Sequence, residues 1–192
     1  VEGEDLAFSN SYDIIILDLG LPDGDGFEIC KNIRDREVTT PVLILSAEQE
    51  TDVKIKCLKV GADDYLTKPF NPGERMARIE AITRRSVDSA GDQVLVCGDL
   101  ELRLLAREFR VNNTKVDLTN NEFNLMVYLM KKRNKIVTLE EIATKVWGIN
   151  FDTQTNYINV YVSYLRKKIR SHTENKYIKT VRKKGFTLRC ND

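Results

Sequence analysis

A carboxylate, a hydroxyl and an ammonium each close a short apolar run in the first seventy residues. Asp18 follows Ile14–Leu17, Ser46 follows Val42–Leu45, and Lys68 follows Tyr65-Leu66-Thr67. Runs that short and that uniformly apolar predict strands buried on both faces, as in a parallel sheet covered by helices. If the strands lie side by side, the three groups converge at the carboxyl edge, where open α/β sheets place their chemistry. Such a set suits an acyl phosphate: Asp18 attacks phosphorus, and Ser46 and Lys68 hold the phosphoryl oxygens. Gly20 leaves room for a backbone carbonyl to join Asp18 on a divalent cation. The plainer alternative is that Asp18 only caps the turn imposed by Pro22 and the Asp/Gly residues after it.

The intervening segments have helical length. Gly26–Arg36, Asp52–Val60 and Pro72–Arg85 are predicted helices, with Gly61 closing the second and Met76, Ile79 and Ile82 forming an apolar stripe on the third. The order is therefore β-α-β-α-β-α. Its motifs are Leu17-Asp18-Leu19-Gly20-Leu21-Pro22, Asp25-Gly26, Ser46-Ala47, Gly61-Ala62-Asp63-Asp64-Tyr65 and Lys68-Pro69-Phe70. With these, residues 1–85 resemble the receiver domain of bacterial two-component response regulators, a flavodoxin-like, doubly wound parallel sheet.

The resemblance implies that Asp18 accepts phosphate from a sensor histidine kinase. Ser46, Ala47, Lys68 and Pro69 contact the phosphoryl group, Ser46 and Tyr65 relay its state, and Lys68-Pro69 is a cis peptide. It further implies a homodimer on phosphorylation, with Lys54 pairing with Glu74 and Asp64 with Arg78 across a two-fold axis. In a complete receiver Asp18 and Gly20 share Mg²⁺ with two acidic residues that follow an earlier strand. That strand and the helix and strand after it have no counterpart here. Glu4 and Asp5 lie too close to Asp18 to replace the pair. The expectation is a receiver incomplete at its N-terminus, with Val1–Ser11 as the tail of the preceding helix.

Residues 86–93 are small and polar and predict a linker, and residues 94–192 differ in charge and pattern. Residues 1–90 carry 11 Lys/Arg against 18 Asp/Glu, a balance of −7, whereas residues 91–192 carry 19 against 11, a balance of +8. Residues 153–192 hold 10 of those cations against 2 anions, which points to a nucleic-acid-binding end. Val94–Cys97, Leu100–Leu105, Glu108–Val111 and Lys115–Leu118 alternate as short antiparallel strands. Thr119/Glu122 and Thr138/Glu141 are capping boxes, opening helices to about Arg133 and to Trp147, with Gly148 at the end. A third helix from about Thr155 to Arg170 buries Ile158, Val162, Leu165 and Ile169. Lys176–Val181 and Gly185–Leu188 form a basic hairpin around Arg182-Lys183-Lys184.

Three helices and a basic hairpin make an α+β winged helix-turn-helix domain. Leu118-Thr119, Glu122-Phe123, Val146-Trp147-Gly148, Thr155-Asn156, Asn159–Val162, Leu165–Ile169, Thr180-Val181-Arg182 and Gly185-Phe186 resemble the OmpR/PhoB effector domain. Lys183 departs from it by standing where glycine is usual, and Ser163 and Tyr164 stand where arginines are common. The implied DNA-contacting set is Trp147, Asn156, Tyr157, Tyr161, Tyr164, Arg166, Lys167, Thr180, Arg182, Lys183 and Lys184. An A·T-rich promoter site of two direct half-sites is expected, with RNA polymerase as a further partner.

The resulting reading is a phosphorylation-regulated transcription regulator. One rival is an aspartyl-nucleophile phosphohydrolase, but Gly20 occupies the position where such an enzyme carries its general acid, so no enzyme is expected. The other is an atypical regulator that works without phosphorylation. The four cysteines, Cys30, Cys57, Cys97 and Cys190, are scattered and read as reduced thiols of a cytoplasmic protein. The single His172 makes His-based catalysis or a zinc site implausible, and no apolar run is long enough to span a membrane.

Overall fold

A computed structural model describes residues 2–9, 12–21, 24–48, 51–83, 94–147 and 156–190. The chain divides into two units, Val1–Arg84 and Arg85–Asp192. The predicted linker 86–93, Gly148 and Thr155 lie outside the described residues.

In the first unit, α1 (Glu2–Ser9) precedes β1 (Ile15–Asp18), α2 (Gly26–Asp35), β2 (Val42–Ser46), α3 (Thr51–Lys59), β3 (Asp64–Thr67) and α4 (Pro72–Thr83). The strands form a parallel sheet in the order β1-β2-β3, with Asp18 opposite Leu45 and Ser46 opposite Thr67. The core joins Leu17, Val42 and Ile44 of the sheet to Cys30, Ile33 and Cys57 of α2 and α3. Asp25 caps α2 by accepting from the Phe27 amide at 2.8 Å. Gly26 then lets the helix start close against the strand end, since a Cβ there would stand 2.8 Å from the Asp18 carbonyl oxygen.

One predicted burial differs. β1 is an edge strand in this sheet and Ile16 is exposed, because an edge strand has a neighbour on one side only. The apolar stripe on α4 lies largely open: Met76 is exposed and Ile79 and Ile82 are half-buried. No described residue of α4 is fully buried, so 3.6-residue periodicity marked a face without marking what covers it.

A feature the sequence did not announce holds this unit together. Arg34, on α2, donates to the carbonyls of Gly61, Val38 and Thr40 and pairs with Asp63 at 2.7 Å. The same Asp63 oxygen accepts from the Val42 amide at 2.8 Å. Both side chains are almost fully buried, at 5% and 1% exposure.

The second unit opens with an antiparallel sheet of β4 (Val94–Cys97), β5 (Leu100–Arg103), β6 (Glu108–Val111) and β7 (Thr114–Lys115). Helices α5 (Asn120–Lys131), α6 (Leu139–Trp147) and α7 (Asn156–Arg170) follow, then the hairpin β8 (Ile178–Val181) and β9 (Gly185–Leu188). The Thr119/Glu122 capping box is complete, and Lys168 of α7 reaches the same Glu122 carboxylate at 2.7 Å. At α6, Thr138 accepts from the Glu141 amide, while the Glu141 carboxylate also accepts from the Tyr128 hydroxyl and faces Lys132. Val137 and Phe186 exchange backbone hydrogen bonds of 2.8 and 2.9 Å, which seat the hairpin on the connection between α5 and α6.

The cysteines divide into two kinds, which corrects the expectation of four thiols. Cys30 and Cys57 are free and buried in the receiver core. Cys97 and Cys190 form a disulfide across 93 residues, their Cα atoms 4.9 Å apart. Sequence separation carries no information about such a pair; only the meeting of the β4 end with the segment after β9 sets it up.

Candidate functional site

The edge of the parallel sheet brings Asp18, Ser46 and Lys68 together as the strand register requires. Backbone bonds from Leu19 N–H to Leu45 and from Lys68 N–H to Ser46 stitch the three strand ends at 2.9 and 2.7 Å. The Asp18 carboxylate accepts from the Gly20 amide at 3.0 Å with one oxygen and pairs with the Lys68 ammonium through the other. The Lys68 hydrogen bond, and then the Gly20 amide, hold the Asp18 carboxyl below its ordinary value of 3.8, so the nucleophilic form predominates at neutral pH. The site is open, with Asp18 35% and Lys68 38% exposed.

Ser46 is buried, and its hydroxyl accepts from the Glu48 amide at 3.1 Å. Tyr65 is also buried and its hydroxyl donates to the Glu48 carbonyl, so the two predicted switch residues share one backbone partner. Glu48 was not anticipated, because a backbone role leaves no mark on residue type. Ala47 is exposed beside it, and Lys68-Pro69 is cis. At Gly20 there is only backbone, so the position holds no group able to donate a proton to a leaving oxygen.

Receiver domains generally bind Mg²⁺. Here the expected donors are the Asp18 carboxylate and the backbone carbonyl of Gly20, and the described residues contain no group of three or more His, Cys, Asp or Glu able to hold a metal. Two donors leave most of an octahedral shell to water, so these residues do not amount to an Mg²⁺ site.

Lys54, Asp64, Glu74 and Arg78 were expected to pair between subunits. Lys54 is exposed. Within the single chain Arg78 pairs with Asp64 at 2.9 Å and with Glu74 at 2.9 Å. Desolvation lowers the Arg78 pKa, but its two carboxylate partners outweigh this and raise it.

In the winged helix the expected DNA-contacting set splits. Tyr157 and Tyr161 are buried, at 1% and 2% exposure, and their rings lie 5.3 Å from that of half-buried Trp147. Asn121 donates to the Tyr161 hydroxyl. These three aromatics hold α7 in place, and burial removes both tyrosines from any face that could meet bases. The 157/161/165 spacing carried that signal, as it continues the apolar stripe by one column. Arg166 is also engaged: it donates to the Ile178 carbonyl at 3.1 Å and the Thr180 hydroxyl at 2.8 Å, joining α7 to β8.

Among the described side chains, α7 exposes Asn159, Ser163, Lys167 and, at its last residue, Arg170, with Tyr164 half-buried. Asn159 and Ser163 were missed, although they lie opposite the stripe at helical spacing. The Asn156 side chain lies outside the description. On the hairpin, Thr180, Arg182, Lys183 and Lys184 are exposed, and Lys183 sits in the left-handed region at φ 59°. The hairpin, with Thr180, Lys183 and Lys184, and the start of α6, with Thr138 and Glu140, frame an open cleft of ≈ 700 Å³ that α7 reaches through Asn159.

A phosphoacceptor-like edge in one unit and a winged helix in the other define a class of regulator, and comparison with known proteins agrees. Residues 2–80 match the family described as response regulator receiver domain, and residues 113–188 that described as transcriptional regulatory protein, C terminal. The chain belongs to the response regulators of two-component systems that join a receiver to a winged-helix DNA-binding domain. The response regulator ArlR of Staphylococcus epidermidis is 41% identical over 187 residues, covering 97% of this chain and 84% of that protein. ArlR of Staphylococcus aureus is 38% identical over 188 residues, 98% of this chain and 84% of the relative. A solved structure of a RitR mutant is similar at 27% identity and a TM-score of 0.59, covering 98% of this chain and 83% of that one. The protein is a phosphorylation-regulated transcription regulator, a family whose members are generally not enzymes and whose partners are a histidine kinase and DNA.

Proposed function

We propose that Asp18 is the phosphoacceptor. A carboxylate oxygen attacks the phosphorus of a kinase phosphohistidine; the new O–P bond forms as the P–N bond breaks, and the imidazole nitrogen keeps the electron pair. The observation that carries this is the accessible Asp18–Lys68 pair beside the buried Ser46 hydroxyl. Lys68 then trades its carboxylate partner for phosphoryl oxygens, and Ser46 turns from the Glu48 amide toward the same group. Phosphorylation biases the shared Glu48 contact of Ser46 and Tyr65, a two-state element of the kind that receivers use as switches.

Dimerisation follows if Arg78 exchanges its own Asp64 for that of a second copy, with Lys54 meeting Glu74 across the same axis. Each exposed pair contributes about 0.2–1 kcal/mol, so they set register more than affinity. The winged helix then occupies two direct half-sites, with Asn159, Ser163 and Lys167 facing the major groove and Arg182 the minor groove. Lys183 and Lys184 face phosphates; Tyr157, Tyr161, Trp147 and Arg166 position these elements. Such a regulator works in the cytoplasm, where RNA polymerase is its further partner, and it is not an enzyme.

Acetyl phosphate is the direct test. Intact mass should show one phosphoryl adduct on the wild type and none on Asp18→Asn; an equal adduct on the mutant overturns the assignment. Absence of any adduct on the wild type leaves the regulator that works without phosphorylation as the better reading. Arg182→Ala should lower both affinity and A·T preference in selection from random duplexes, and an unaltered preference would remove the minor-groove role.

A further inference from the structure

The disulfide lies where the wing is anchored, and its neighbours make that anchor a seam. Cys97 ends β4, and the next two residues, Gly98 and Asp99, turn into β5. The Asp99 amide donates to the Tyr177 hydroxyl at 2.7 Å, and the Asp99 carboxylate accepts from Thr173 and Asn175 at 2.7 Å each. Gly98 allows this approach: its φ is +57°, and a Cβ there would stand 2.5 Å from the Tyr177 hydroxyl. Tyr177 in turn accepts the Arg189 amide on its carbonyl, and Cys190 follows. The β4–β5 turn and the two ends of the hairpin therefore meet at one place, where Cys97–Cys190 is a covalent tie. Among the described residues no strand pairing joins the hairpin to the sheet of β4–β7.

The other two cysteines provide a contrast inside the same chain. Burial pushes the Cys30 thiol up to about 11 and the Cys57 thiol to about 12, so both stay protonated and shielded. Cys190 is only half-buried, whereas Cys97 is 1% exposed. Cys190 is thus the partner nearer solvent, and Cys97 the sheltered one placed to resolve what forms on it.

We propose that Cys97 and Cys190 are a reversible redox site whose oxidation clamps the base of the wing to the β4–β5 turn and tightens the hold on DNA; the DNA part rests on the reading of the winged helix given above. Hydrogen peroxide serves as the oxidant. The Cys190 thiolate attacks a peroxide oxygen, the O–O bond breaks, and hydroxide leaves to be protonated to water, giving a sulfenic acid. The Cys97 thiolate then attacks the Cys190 sulfur, the S–O bond breaks, and a second water departs as S–S forms. Two thiols lose two electrons, and one peroxide becomes two waters. A low-molecular-weight thiol reverses the step by exchange: it attacks the Cys190 sulfur and Cys97 leaves as thiolate. A second such thiol resolves the mixed disulfide. Because the Tyr177 and Asp99 contacts survive reduction, the reduced unit stays folded with a looser wing base, and a less preorganised contact surface binds more weakly.

The 192-residue chain, oxidised with peroxide or reduced with excess glutathione, supplies the test, with Cys190→Ser as the control. Peptide mapping after alkylation should show a 97–190 linked peptide that appears and disappears with the redox state, while Cys30 and Cys57 remain thiols. Amides of residues 177–190 should exchange about tenfold more slowly in the oxidised protein. A labelled random-sequence duplex should bind about fivefold more tightly to it, a difference absent from Cys190→Ser. Failure of the link to form in peroxide, or equal exchange in both states, overturns the clamp. Equal DNA affinity beside unequal exchange overturns its control of DNA. Absence of DNA binding in both states overturns the DNA reading instead, while the exchange difference still establishes the clamp.

Discussion

Arg34–Asp63 and Asp18–Lys68 are both cation–aspartate pairs of the receiver unit, and they do opposite things. The first is 5% and 1% exposed, and its guanidinium also reaches three backbone carbonyls. Removing either partner strands a charge in the interior. The second is 38% and 35% exposed, so solvent can take over for either partner. Stability is stored where water is excluded; reactivity sits where a third party can enter. Lys168–Glu122 in the other unit lies between them, at 17% and 3% exposure.

The comparison breaks most sharply at Arg34. Arg34→Met should destabilise the receiver unit by about 3–5 kcal/mol, because Asp63 and three carbonyls lose their donor. Urea unfolding followed by circular dichroism measures it, and a loss below about 1 kcal/mol would erase the distinction drawn between the pairs. Lys168→Met should cost less, about 1–3 kcal/mol, since Glu122 keeps its bond from the Thr119 amide. Fluorescence of Trp147, the single tryptophan, follows that unfolding because its ring lies against two tyrosines of α7.

Lys68→Ala should be the mildest for stability, within about 1 kcal/mol, yet should sharply reduce acceptance of phosphate. Its clearest readout is the Asp18 carboxyl carbon in an NMR titration, which should move up toward the ordinary carboxylate value. The sign follows from linkage: a carboxyl held below 3.8 in the folded protein stabilises it above that pH and loses the contribution as pH falls through the folded value. Wild type should therefore carry this small contribution at neutral pH and lose it only as the pH falls into acid, and Lys68→Ala should lack most of it.

Much of this was legible from residue order. The strand ends carrying Asp18, Ser46 and Lys68, the Thr119/Glu122 cap and the 158/162/165/169 stripe all rest on local patterns that the fold leaves intact. The Arg34 clamp was not legible, because three of its partners are backbone carbonyls and the fourth lies 29 residues away. The disulfide hid for the same reason. Tyr157 and Tyr161 misled because tyrosine suits both a core and a groove, and only the placement of Trp147 decides which.

Glu122 completes one hydrogen bond to a neighbour three residues back and one to a lysine 46 residues ahead. The first can form as soon as α5 nucleates; the second waits until the intervening chain has condensed. The start of the helix that opens the DNA-binding bundle is thus completed by the helix that closes it. Loss of Thr119 should act on the speed of folding, whereas loss of Lys168 should act on the speed of unfolding, so one carboxylate separates the early and late halves of a folding reaction.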